Sequence, residues 1–199
     1  MKILKIFIPS FLIFTLLFSL FKPLIDTSEK ISENVLRLHI LANSDSTYDQ
    51  NVKLQLKNYI VEATSNIFNG ETAAENTVIA TKNTDYIQNL CNNYLDKNGI
   101  NYDATVKVVN EFFETRVYDD FTLPAGNYDS IRIELGQGSG HNWWCIVFPS
   151  VCLSACTTSM DDYLSDEEMD LITGGYTPKF KVIEIYEKLK NEIKQKEKA

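Results

Sequence analysis

Apolar and polar positions change rhythm several times along this chain, and each change predicts an element. The first is a block. Ile6 to Phe21 is uncharged and mostly Ile, Leu and Phe, with Lys2 and Lys5 ahead of it and Lys22-Pro23 behind. As a helix the run reaches about 24 Å, against a hydrocarbon core of ~30 Å, close enough to span with snorkelling of Lys5 and Lys22. Lysines before an apolar run mark an export segment, either a cleaved signal or a retained anchor. With no small-x-small pair near Phe21, the uncleaved anchor is favoured, lysines inside and the remainder outside. Asp26 to Glu33 then turns polar, as a tether would.

Val35 to Leu41 is a short apolar run around Arg37 and His39, which predicts a β-strand carrying both polar side chains on one face. Asn43 to Thr47 breaks it. Ser46 followed by Asp49 resembles a capping box, and Val52, Leu56, Tyr59, Ile60, Ala63 and Ile67 recur at helical spacing. A second helix is predicted over about Thr72 to Lys97, with a kink or split at Lys82 to Thr84. Between Ala104 and Leu135 the period becomes two, with Val106 and Val108 and then Ile131, Ile133 and Leu135 alternating with polar residues. Turn residues at Asp119-Asp120 and Pro124 to Asn127 suggest an antiparallel meander. Trp144 to Phe148 reads as another strand buried on both faces or nearly so, Ser165 to Glu168 starts a short helix, and a last helix shows Val182, Tyr186, Leu189 and Ile193 on one side.

Helices first and strands later predict an α+β fold, a mostly antiparallel sheet packed by two N-terminal helices, plus a C-terminal helix. The organisation expected is a signal or anchor over 1–23, a linker over 24–33, one domain over 34–186 and a charged tail over 187–199. A chain of 199 residues supports such a domain without special staples. Its formal charge of −8, with Lys and Arg scattered, excludes a nucleic-acid partner.

The chemistry gathers in two places. Gly136 to Gly140 leads into His141-Asn142-Trp143-Trp144-Cys145, which holds both tryptophans of the chain. Paired indoles are the rigid, amphipathic area enriched at binding hot spots, although neighbours on a strand face opposite ways, so at least one belongs to the core. The glycine run lacks the Lys-Ser/Thr of a phosphate loop. Cys145 and Cys152 are the expected disulfide of an exported chain, with the chain reversing at Pro149-Ser150; free buried thiols are the alternative. His141, Cys145, Cys152 and Cys156 lack the short knuckle spacing of zinc sites, and His141 with Cys145 lacks an orienting third residue for nucleophilic catalysis. The second place is Arg37, His39, Asn43, Ser44, Asp45, Asp49 and Gln50, at a strand-to-helix junction. Capping and turn formation explain its middle; Arg37 and His39 suggest an ion-pair network or a docking patch.

The segments Arg37-Leu38-His39-Ile40-Leu41-Ala42-Asn43-Ser44-Asp45-Ser46 with Asp49-Gln50, and Asn142-Trp143-Trp144-Cys145 through Phe148-Pro149 to Cys152, resemble the stage II sporulation protein R family. The resemblance runs from about Arg37 to Tyr186, with Ser150 where family members often have a second proline. It implies a protein made in the forespore and exported to the space between the septal membranes. There it would activate the membrane-bound aspartic protease that processes the pro-form of sigma-E, using no cofactor and no catalytic residue. The partner-binding residues implied are Arg37, His39, Asn43, Asp45, Asp49, Gln50, His141, Asn142, Trp143 and Trp144. The competing class is an extracytoplasmic cell-wall or septal hydrolase using His141, Cys145, Asp45 or His39; a third is a septal component that binds wall glycan.

Overall fold

The computed structural model describes residues 2–118, 120–149 and 160–197, without the side chains of residues 2–7, 10, 13–14, 16–18 and 161. The chain forms two compact units, one of residues 32–111 and 127–165, the other of residues 1–31, 112–126 and 166–199.

The first unit holds a four-stranded sheet in the order β2-β5-β1-β6, built from β1 (Leu36–Leu41), β2 (Ala104–Phe113), β5 (Gly126–Leu135) and β6 (Asn142–Phe148). The sheet is mixed, not mostly antiparallel. β1 pairs with β5 in parallel and with β6 antiparallel. Asn110 bonds Asp129 while Lys107 faces Glu134, so β2 and β5 run in opposite senses. The expected meander therefore fails at β1: three helices carry the chain from β1 to β2, and β1 then inserts between the two later strands β5 and β6. An inserted central strand is buried on both sides, and all six β1 residues are buried.

The helices are α2 (Thr47–Thr64), α3 (Ala73–Lys82) and α4 (Thr84–Lys97). Ser46 caps α2 by accepting the Asp49 N–H at 3.1 Å, and Asn83 ends α3 and starts α4, the split expected at Lys82 to Thr84. Val52, Leu56 and Ile60 of α2 and Ile87, Cys91 and Leu95 of α4 pack on Leu38, Ile40, Ile131 and Ile133 of the sheet. α4 also closes the outer edge of β2, where the Gln88 and Asn92 side-chain oxygens accept the Val106 and Ala104 N–H groups at 3.0 and 2.7 Å. Edge strands left open invite pairing with other chains, and here two side chains one helical turn apart take up the donors.

The second unit holds the body of α1 (Lys2–Glu33), the small pair β3 (Arg116–Val117) and β4 (Thr122–Leu123), α5 (Asp166–Thr173) and α6 (Pro178–Glu197). The polar stretch after Pro23 is helical to Glu33, with Ile25, Ser28 and Ile31 buried. Lys190 of α6 pairs with Glu29 of α1 at 2.5 Å. α6 buries Phe180, Ile183 and Glu187, and of the side predicted from Val182, Tyr186, Leu189 and Ile193 the first two are half-buried and the last two exposed. Among the described residues no helix is long and apolar enough to cross a membrane.

Candidate functional site

The two motifs, about a hundred residues apart in the chain, are neighbours in space. β1 ends at Leu41 opposite Asn142, the first residue of β6, so the Ala42–Gln50 turn and the Gly136–His141 loop lie against each other. The Gly140 N–H donates to the Ala42 carbonyl at 2.9 Å, and the Ser139 hydroxyl to the Asn43 carbonyl at 2.7 Å. The Asn43 side chain faces both ways, accepting the Gln137 N–H at 3.0 Å and donating to Asp49 at 2.9 Å. Such close approach accounts for the glycines. A Cβ at Gly136, whose φ is +56°, would overlap the Asn43 carboxamide oxygen, and one at Gly140 would overlap the Ser44 carbonyl.

Asp49 is the buried hub of the junction. It accepts from the Asn43 amide, from the Ser44 hydroxyl at 2.5 Å and from the Tyr102 hydroxyl at 2.9 Å. Burial pushes its pKa up, but the donors from Ser44, Asn43 and Tyr102 outweigh burial and hold it below the ordinary carboxylate value. Gln50 donates to the Ser44 carbonyl at 2.9 Å and accepts from the Lys53 ammonium at 2.6 Å. Lys53, only 3% exposed, also donates to the His141 carbonyl at 2.8 Å. Its burial lowers its pKa, partly offset by the Asp45 carboxylate. At the surface, Asp45 accepts the His141 N–H at 2.6 Å and meets the His141 Nδ1 as well.

Arg37 and His39 share the sheet face opposite the helices, as the alternation predicts. Arg37 is fully buried, its guanidinium 4.9 Å from the centre of the Tyr128 ring. The His39 ring lies between two acceptors, Glu111 Oε1 of β2 at Nδ1 and Asn142 Oδ1 of β6 at Nε2, each at 3.0 Å. Glu111 also accepts from Ser130 and from Arg132, which in turn holds Glu134 at 2.7 Å. Burial raises the Glu111 pKa, and the His39 and Ser130 hydrogen bonds with the charges of His39 and Arg132 bring it below the ordinary value. This belt crosses every strand of the sheet, from Glu111 on β2 to Asn142 on β6.

The indoles divide as neighbours on a strand must. Trp143 packs on the helix-side core with the Lys57 ammonium 4.9 Å from its ring centre. Trp144 faces the other way and stacks on His39, ring centres 5.7 Å apart. The expected strand runs half-buried along most of its length instead of buried on both faces, since β6 lies last in the sheet. Cys145 is disulfide-bonded, which leaves no thiolate for a His141–Cys145 nucleophile pair; Cys152, its expected partner, lies outside the described residues, as does Cys156. Cys91 is a free, buried thiol with its pKa pushed up to about 12 by burial.

The ten residues expected at a partner surface lie at different depths, and Arg37 packs on Tyr128 apart from the hydrogen-bonded network. Asp45, His141 and Asn142 are exposed; Arg37, His39 and Asp49 are buried and act through what they hold. Sequence reasoning missed Lys53, Tyr102, Glu111, Ser130 and Arg132. Only Lys53 carried a usable signal, a lysine beside Val52 and one turn before Leu56 on the buried face of α2.

Fold and site define a mixed-sheet α+β module in which a buried polar network joins two distant motifs at one rim. The family model described as stage II sporulation protein R matches residues 32–158. The chain belongs to that family, and so to sporulation. The stage II sporulation protein R of Bacillus subtilis (strain 168) is 35% identical to it over 124 residues, 61% of this chain and 55% of that protein. The chain therefore matches only about half the length of this curated relative. No solved structure matches it.

Proposed function

We propose that the protein is an exported signal of sporulation that activates, by contact, the membrane-bound aspartic protease processing pro-sigma-E. The observation that carries this reading is the locking of the two family motifs into one rigid rim. The contact residues are then the exposed Asp45, His141 and Asn142 with the half-buried Gln50 and Trp144; His39, Asn43 and Asp49 hold them, Trp143 ties the rim to the core, and Arg37 supports the sheet beneath through Tyr128. The N-terminal apolar run is the export segment, cleaved as a signal or kept as an anchor, and would direct the rim to the extracytoplasmic side. A ligand of this kind works only through its differential affinity for the idle and competent states of its receptor.

The test is co-expression of the chain with the protease and its pro-sigma substrate in a non-sporulating host. Processing is expected when the chain is exported and is expected to fall at least tenfold with Trp144→Ala together with His141→Ala, variants of exposed or half-buried positions that keep the fold. Processing that persists with the chain confined to the cytosol, or that is untouched by the double substitution, rejects the reading.

A further inference from the structure

One hydrogen bond at the rim depends on a proton. His39 is only 7% exposed and its ring is held in place: Glu111 Oε1 lies 3.0 Å from Nδ1, and Trp144 stacks on the ring face with centres 5.7 Å apart. Glu111 is committed as an acceptor, taking the Ser130 hydroxyl at 2.5 Å and an Arg132 N–H at 3.0 Å, so Nδ1 keeps its hydrogen in either charge state of the ring. The variable nitrogen is Nε2, which faces Asn142 Oδ1 at 3.0 Å. Asn142 itself is exposed. A carboxamide has an acceptor end and a donor end, and whichever meets His39 leaves the other for the outer side.

We propose that the proton on His39 sets the hydrogen-bonding sense that Asn142 presents at the rim. With Nε2 protonated, as the contact with Oδ1 requires, the Asn142 amide hydrogens are turned outward. When that proton leaves to solvent, Nε2 becomes an acceptor. The carboxamide then turns over to donate to it, and shows its oxygen outward instead. Histidine is the side chain whose charge changes between about pH 5 and 8, so the rim differs across that range. Its charged neighbours on this sheet face are already engaged. Glu111 of β2 is joined to Arg132 of β5, Arg132 to Glu134, Glu134 to Lys107 of β2, and Arg37 of β1 is set against Tyr128. The protonated state suits an oxygen acceptor, so the partner chemistry met at Asn142 is a main-chain carbonyl or a carboxylate. This partner chemistry rests on the contact reading above; the switch does not.

The experiment is nitrogen-15 NMR of the full chain in detergent micelles from about pH 5 to 8. The chain has two histidines, so His141→Gln leaves His39 as the sole imidazole. Nε2 alone is expected to lose its hydrogen over that range while Nδ1 keeps its own. The Asn142 side-chain amide signals, identified by their loss in Asn142→Asp, should move with the same midpoint. Amide signals that stay put while Nε2 titrates, a hydrogen lost from Nδ1 instead, or a ring whose charge does not change in that range each overturn the proposal. A second arm repeats the co-expression assay with Asn142→Asp, which offers only acceptors outward. Processing at least about tenfold lower is expected, and processing equal to wild type overturns the assignment of an acceptor partner. A wild type that gives no processing rejects the contact reading and the partner chemistry with it, whereas the NMR titration decides the switch by itself.

Discussion

Lys53 shows how much of the rim rests on one side chain that looks ordinary in the sequence. A buried ammonium is costly unless its donors are used, and here they hold the Gln50 amide oxygen and the His141 carbonyl, one from each motif. Lys53→Met keeps the volume and removes the donors, leaving a buried acceptor on each side. The expected loss is about 1 to 3 kcal/mol in urea unfolding. Lys53→Arg, with a charge but a different shape, should recover part of it. A variant as stable as wild type would mean that water replaces the ammonium and that the two motifs do not need it. A lysine on a helix reads as solvent-facing unless the partner loop is known, so its place beside Val52 on the apolar face of α2 is a faint signal next to the capping pair Ser46 and Asp49.

Whole elements were legible where a local rule decides them. The start of α2 followed from Ser46, the break between α3 and α4 from Asn83 and its neighbours, and the shared face of Arg37 and His39 from the two-residue period of a strand. Pairing was not legible. β1 lies in parallel beside β5 because distant apolar faces match, and nothing local to Leu36–Leu41 records which later strands will flank it. The same limit applies to α6, whose apolar residues lie on both sides and whose buried side, Phe180, Ile183 and Glu187, no local rule picks out. The Gly136–His141 loop is the element where sequence and packing agree most closely. Gly140→Ala places a methyl group on the Ser44 carbonyl, and since both segments are pinned by hydrogen bonds the strain has little outlet. A destabilisation of about 1 to 3 kcal/mol is expected, seen as a lower midpoint with unchanged steepness in denaturant. An alanine variant with wild-type stability would show that the loop and the turn part easily.

At the scale of the molecule, charge decides how stability follows pH. Asp49 and Glu111 each have a pKa held below the unfolded value by native hydrogen bonds. Their contribution is fully present above the ordinary carboxylate range, near pH 4, and is lost as pH falls through the lowered native values. Glu187 acts oppositely: burial raises its pKa, so it favours the folded state most in acid and loses that advantage as pH rises above about 4. The sheet-bearing unit holds the lowered Asp49 and Glu111 with no raised carboxylate among the described residues opposing them, whereas in the other unit the lowered Glu184 is opposed by the raised Glu187. The sheet-bearing unit is therefore predicted to be the more acid-sensitive. Urea midpoints between pH 6 and pH 3, followed by tryptophan fluorescence, check this, because both indoles report that unit. Asp49→Asn should flatten the acid limb; an unchanged limb would place the sensitivity elsewhere.

The long first helix also bears on maturation. Ile25, Ser28 and Ile31 are interior residues, so the strand of chain just past the apolar run is already part of a folded body. Were the proposed export segment cleaved, the cut would fall ahead of Ile25, because a cut beyond it would strip buried residues from that unit. A released form and a tethered form would then share the same interior and differ only in how far they can travel.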